Sequence, residues 1–171
     1  TNTKQGIPGE ASVAAGLTAQ IVVSGGSVTS DADAYADVAI IVFGESPYAE
    51  MQGDVYSVAW YDKRGERALI KSLKARGIPV VAVFLTGRPM WVNAEMHASD
   101  AFVVAWLPCS YGAAVADVLL AAPVGATQYD FEGRLPMPWP NHDLNPSNHD
   151  LGIAEYAFPV GFGLTAESAS E

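Results

Sequence analysis

Cysteine is nearly absent: one thiol, Cys109, stands in 171 residues, so no internal disulfide can form, and no spaced Cys/His set marks a structural zinc site. Basic residues are scarce, 9 Lys and Arg against 19 Asp and Glu, and the formal net charge of −10 excludes an electrostatic grip on nucleic acid or on an anionic membrane. Long hydrophobic runs are missing too. Val80 to Leu85 and Ala101 to Leu107 are far too short to span a bilayer, and Thr1-Asn2-Thr3-Lys4-Gln5 lacks the basic-then-apolar layout of a signal peptide. What remains is 50% hydrophobic, enough for one domain of ordinary size that buries roughly 70% of its unfolded surface.

The buried segments define the fold class. Asp37 to Gly44 is a continuous apolar run closed by glycine, as expected for a parallel strand covered on both faces. Val80–Leu85 and Ala101–Leu107 repeat that pattern. Between the first two, Arg64 to Arg76 carries Ala68, Leu69, Ile70 and Leu73 as an apolar stripe, and Gly77 fits the C′ position of a helix. Ala11 to Thr18 reads as a short helix, Gln20 to Ser24 as a brief β-branched strand ended by Gly25-Gly26, and Gly112 to Leu120 as a helix with Val115, Val118 and Leu119 inward. This alternation predicts an α/β fold: a mostly parallel sheet with helices on both faces, a three-layer sandwich. The proline-punctuated Gly133 to Pro140 suits an edge strand or extended C-terminal arm, Asn141 to Asp150 a loop, and Phe158 to Leu164 a glycine-rich turn.

Ligands of an open parallel sheet bind outside the carboxyl ends of its strands. Three loops lie there, after Phe43, Leu85 and Leu107. The first gathers Glu45, Glu50 and Asp54 within ten residues, with Tyr48 and two glycines. A solvated acidic loop gives that pattern, and so does a carboxyl whose pKa is raised by apolar neighbours or a second carboxylate into the range of a general acid. Cys109 stands at a strand-to-helix junction, where a nucleophile would pair with a His, but no Gly-x-Cys-x-Gly pattern surrounds it. His142, Asp143, His149 and Asp150 match no ligand spacing, so no metal and no cofactor is expected. Trp91, Trp106 and Trp139 fit core packing better than sugar platforms. Arg88 is suited to a sugar hydroxyl, to Asp54, or to an ordinary ion pair.

Several segments in order carry a resemblance: Gly44-Glu45-x-Pro47-Tyr48-x-Glu50-x-x-Gly53-Asp54, Gly87-Arg88-Pro89-Met90, Ala98 to Pro108, Gly133-Arg134-Leu135-Pro136, and Phe158 to Leu164. From about Asp37 to Leu164 the chain resembles the second, α/β-sandwich domain of glycoside hydrolase family 3, the β-glucosidase and exo-β-glucanase family. The resemblance implies a retaining β-glycosidase acting on a β-glucan or β-glucoside from its non-reducing end. A TIM-type barrel on a missing N-terminal part would supply the nucleophilic Asp, and this domain the acid/base Glu, placed by the motif on Glu50. Tyr48, Asp54 and Arg88 are then expected to bind substrate, and a periplasmic or secreted location follows. Residues 1–171 are accordingly expected to form one α/β domain lacking its first strand and the barrel, and to expose an apolar face or sheet edge that favours association. The family's usual Leu-Pro-Gly-Ser-Glu-Gly reads Leu107-Pro108-Cys109-Ser110-Tyr111-Gly112, which predicts strain at Cys109 if the glycine serves a positive φ. The family's Gly-Asp after the next helix is replaced by Ala121-Ala122-Pro123-Val124. A non-catalytic α/β module, carbohydrate-binding or scaffold, is the competing expectation.

Overall fold

The computed structural model describes residues 12–62, 64–121, 129–143 and 156–168. Its contacts divide the chain into two compact units, one of residues 35–106 and 133–163, the other of residues 1–34, 107–132 and 164–171.

The larger unit is built on a parallel sheet. Strands β1 (Ala39–Gly44), β2 (Val80–Leu85) and β3 (Ala101–Trp106) lie in the order β1-β2-β3, all parallel, with Phe43 opposite Phe84 and Val83 opposite Val103. The three apolar runs are therefore parallel neighbours, as their composition predicts. Side chains two apart share a face, so Ile41, Phe43, Ala82, Phe84 and Phe102 stand together and form the core with Met90, Val92 and Trp139. Phe43, Trp60 and Phe84 meet in tilted and edge contacts at centroid distances of 5.2–5.6 Å.

Helix α2 (Glu66–Ala75) packs Ile70 and Leu73 with Ile78 and Val80. Its ends explain its length. The Asp62 carboxylate accepts from the N–H groups of Gly65, Glu66 and Arg67 at 2.7–3.2 Å, satisfying donors that the first turn leaves unpaired. At the other end, Ile78 N–H donates to Leu73 and Gly77 N–H to Lys74, a Schellman closure with Gly77 at φ +78°. The short helix α3 (Asn93–Ala98) packs on α2 and leads into β3.

The second unit pairs α1 (Val13–Val23) with α4 (Gly112–Leu119). Two expectations fail here. Gln20 to Val23, expected as a strand, continues α1, because Ser12 caps the helix by accepting from Ala15 N–H and Val13, Gly16 and Leu17 bury one face. β-Branched residues lower helix propensity only slightly, and tertiary packing overrides that. Gly25-Gly26 terminates this helix, with Gly26 N–H bonded to Ile21 and Gly25 N–H to Val22. The inward residues of α4 are Gly112 and Ala116, while Val115, Val118 and Leu119 are only half-buried. The closest approach is made by small residues: a Cβ on Gly16 would lie 2.6 Å from the Ala113 Cα, so position 16 admits no side chain, while Val13 and Leu17 are buried on the same face of α1.

In the larger unit, the segment expected as an edge strand or arm contributes β4 (Trp139–Pro140), antiparallel to β5 (Tyr156–Phe158). Leu135 and Gly161 close it further: Leu135 N–H donates to the Phe162 carbonyl and Gly161 N–H to that of Leu135. Of the loop expected at 141–150, residues 144–150 lie outside the described residues, as do 122–124 of the Ala121 to Val124 replacement.

Candidate functional site

At the carboxyl end of β1 the chain cannot continue as a strand. A Cβ on Gly44 would stand 2.0 Å from the Leu85 carbonyl oxygen, so only glycine permits the close pairing there. Glu45 N–H still donates to that carbonyl at 2.9 Å, and then the loop departs. Residues 49–54 form two successive turns, Gln52 N–H to Ala49 and Asp54 N–H to Met51, which set Glu50 at their apex. Met51 holds φ +64°, a left-handed conformation that costs a non-glycine residue about 1–2 kcal/mol.

This loop is tied to the one after β2. Arg88 Nη1 donates to the Gly53 carbonyl, its Nε lies 3.2 Å from Glu45 Oε1, and its guanidinium covers the Tyr48 ring with Cζ 4.3 Å from the centroid. Glu45 Oε2 accepts from the Thr86 hydroxyl at 2.7 Å and from Gly87 N–H at 3.1 Å. Thr86 is fully buried. Gly53 lies flat against Tyr48, where a Cβ would come within 2.7 Å of the ring. Arg88 forms an ion pair with Glu45.

All four residues singled out for the site, Tyr48, Glu50, Asp54 and Arg88, line one cavity of about 520 Å³, joined by Met137 and Pro138 from the segment before β4. Glu50 and Asp54 are exposed. Glu50 has no hydrogen-bond or ion-pair partner among the described residues. The neighbours expected to shape its surroundings do not close on it: Met51 is 85% exposed, and Glu45 is occupied by Arg88, Thr86 and Gly87. Chemically, the arrangement offers an unengaged carboxyl on a braced loop, facing a cleft with an aromatic ring and a second carboxylate. Sequence reasoning missed Met137 and Pro138, because nothing local ties them to residue 50.

Sequence reasoning also missed a buried acidic group near the α2 and α3 N-termini. Glu95 is 4% exposed, and burial raises its pKa above the ordinary glutamate range. Glu66 is raised by burial and by its bond to Asp62, whose own carboxyl is lowered chiefly by that hydrogen bond. Among the described residues no group of three or more His, Cys, Asp or Glu is placed to hold a metal ion; His149 and Asp150 lie outside them. Trp139 is buried and meets Trp106 edge-on at 6.2 Å, as core tryptophans do, whereas Trp91 is 40% exposed and departs from that expectation. Cys109 has φ +50°, the left-handed conformation expected of a residue standing where glycine is usual.

Comparison with known proteins places these features in context. The family model described as "Glycosyl hydrolase family 3 C-terminal domain" matches residues 5–166. The chain is 34% identical over 157 residues to the periplasmic beta-glucosidase of Salmonella typhimurium, covering 76% of this chain and 19% of that protein. It is 29% identical over 123 residues to the lysosomal beta glucosidase of Dictyostelium discoideum, covering 71% and 13%. Among solved structures, the exo-1,3/1,4-beta-glucanase of a Pseudoalteromonas species is 48% identical with a TM-score of 0.82, over 93% of this chain and 21% of that one. The chain thus spans about a fifth or less of the length of these relatives.

Proposed function

Since the chain belongs to glycosyl hydrolase family 3, as a C-terminal domain of that family, we propose that it completes the active site of a retaining β-glycosidase of the β-glucosidase or exo-β-glucanase type, with Glu50 as its acid/base. The observation that carries this is Glu50 itself: an exposed, partnerless carboxyl at the apex of a double turn, beside a strained Met51, over the cleft that Tyr48, Asp54 and Arg88 also line. Strain beside an unengaged ionisable group is a mark of functional loops. A retaining mechanism needs two carboxyls about 5–5.5 Å apart, one attacking the anomeric carbon and one protonating the leaving oxygen, then activating water. Glu50 is the second of these. The first belongs to a barrel domain within the part of the relatives' length that this chain does not span, and burial against that barrel and the sugar supplies the apolar shielding that Met51 does not. Tyr48 and Asp54 border the leaving group, and Arg88 holds the loop that carries Glu50. The substrate is a β-glucoside or β-glucan cleaved from its non-reducing end, in a periplasmic or secreted setting. The names of the glucanase and of the periplasmic relative support these two readings in turn.

The test uses the enzyme with its barrel. Glu50→Ala should lower kcat about 10²–10⁴-fold on a substrate with a poor leaving group and much less on an aryl glycoside whose leaving group departs unprotonated. Azide should partly restore the latter by attacking the glycosyl-enzyme in place of base-assisted water. Equal losses on both substrates without azide rescue would remove Glu50 from this role.

A further inference from the structure

Away from the Glu50 cavity, the stretch Trp60–Asp62 and the segment from Trp91 to Glu95 enclose a second hollow of about 320 Å³. Ring faces and polar groups meet in it. Trp91 is 40% exposed and Tyr61 65%, both in a place where apolar side chains could have packed against the neighbouring core. The backbone presenting them is fixed: Trp91 N–H donates to the Val58 carbonyl and Trp60 N–H to that of Trp91, both at 2.9 Å. Asp62 is committed to the N-terminus of α2. One other polar group is left for a ligand. Glu95 borders the hollow although only 4% of its surface is exposed, and its carboxyl bonds no other residue among those described. A buried carboxyl without a partner is rare and calls for an explanation. Asn93 donates through Nδ2 to Asn141 at 2.6 Å, and its Oδ1 and Trp60 Nε1, unpaired among the described residues, are sealed from solvent and so lie out of a ligand's reach.

A pyranose ring supplies what this carboxyl and the open ring faces lack. Its C–H face stacks on an indole, and its hydroxyls both donate and accept, so one ring can stack on an aromatic face and bond a carboxyl together. An organic cation would also suit aromatic faces beside a carboxyl, but Arg67 lines the same hollow and offsets one of its two acidic side chains, Asp62 and Glu95. We propose that this hollow is a saccharide-binding site separate from the Glu50 cavity, with Trp91 as the stacking platform and Glu95 bonding ring hydroxyls. The choice of a β-linked glucoside as ligand rests on the function proposed above; the placement of the site does not.

Calorimetric titration of the chain with cellobiose and with laminaribiose tests it, using choline as the cationic probe. The expected result is saturable millimolar binding of at least one disaccharide, weakened about tenfold or more in Trp91→Ala, retained within about threefold in Trp91→Tyr, and unchanged in Glu50→Ala. Circular dichroism of each variant confirms that the fold is retained, and Trp91→Tyr separates lost stacking from lost structure. No saturable binding, or binding indifferent to Trp91→Ala, overturns the proposal. Binding lost only in Glu50→Ala also overturns it while leaving the acid/base reading intact, and choline binding in place of the disaccharides would do the same.

Discussion

Arg88 is the residue whose removal says most about how the Glu50 loop is held. The change Arg88→Met keeps length and most apolar contact and deletes the charge. In the structure the guanidinium makes three contacts at once: a hydrogen bond to the Gly53 carbonyl, an approach of 3.2 Å to Glu45, and a cover over Tyr48 at 4.3 Å. Side-chain exposures of 19% for Arg88 and 14% for Glu45 place the pair in a poorly hydrated setting. Losing a charge-assisted hydrogen bond costs about 1.5–3 kcal/mol, and losing the cation–π contact about 0.5–2 kcal/mol. Stranding a buried carboxylate drives such losses toward about 3–5 kcal/mol. Glu45 keeps the Thr86 hydroxyl and Gly87 N–H, however, so its charge is not left bare. These contributions overlap, and about 3 kcal/mol is the expected destabilisation. In a chain of this size that lowers Tm by about 6–12 °C. The assay is urea unfolding of the wild type, Arg88→Met, Glu45→Gln and the double variant, with amide exchange read at residues 49–54. A coupling energy of about 1–3 kcal/mol is expected, with faster exchange at Asp54 N–H. A single-variant loss under about 1 kcal/mol with no coupling would show that the loop is held by something other than this network.

Gly44→Ala should destabilise by about 3 kcal/mol or more, because its Cβ would stand 2.0 Å from the Leu85 carbonyl oxygen and no side chain can move aside; a melt within about 1 kcal/mol of wild type contradicts the close pairing. Cys109→Gly should raise stability by about 0.5–1 kcal/mol, the relief of φ +50° less the added freedom of the unfolded glycine, and a loss of stability would show that the thiol contributes more than its backbone costs. Glu95→Gln should stabilise the chain at pH 7. Burial raises the folded pKa of Glu95 above its reference of 4.5, so the native state is strongest below that value and loses stability as pH rises through the folded pKa. The variant lacks that loss, so its advantage should shrink below about pH 4.5, and an advantage independent of pH would mean that ionisation of Glu95 is not its source.

The sheet was legible because its strands are apolar on every residue. Val80–Leu85 has the same bounds in sequence and structure, since a strand covered on both faces needs no alternation and a proline and a threonine bracket it. Helix α2 was legible for the opposite reason, an apolar stripe among charges closed by Gly77. The two misreadings share one cause. Gln20 to Val23 and the inward face of α4 are set by a contact between Gly16 and Ala113, which are far apart in the chain. β-Branched composition pointed to a strand, and side-chain bulk pointed Val115 inward. Neither local signal carries the requirement that two helix backbones approach closely, which favours Gly16, Gly112 and Ala116 and leaves Val115, Val118 and Leu119 half-buried.

At the site, spacing brought Glu45, Glu50 and Asp54 onto one loop but did not assign their partners. Glu45, Glu50 and Asp54 were equivalent carboxylates on one loop until coordinates separated them. Glu45 is consumed by Arg88, Thr86 and Gly87, and Glu50 has no partner among the described residues. That division has a mechanical reading. In the acid/base role proposed above, Glu50 would give up a proton to a leaving oxygen and then take one from water, so it could not be locked in an ion pair, yet its backbone would have to be held to within about an ångström. Placing the ion pair earlier in the loop, on Glu45, and returning Arg88 to the Gly53 carbonyl braces the loop at both ends of the double turn without touching the Glu50 carboxyl. The strained Met51 belongs to the same brace. A turn pinned at 45 and 53 can hold a left-handed residue that a free loop would relax, and that residue keeps Glu50 on the rim of the cleft.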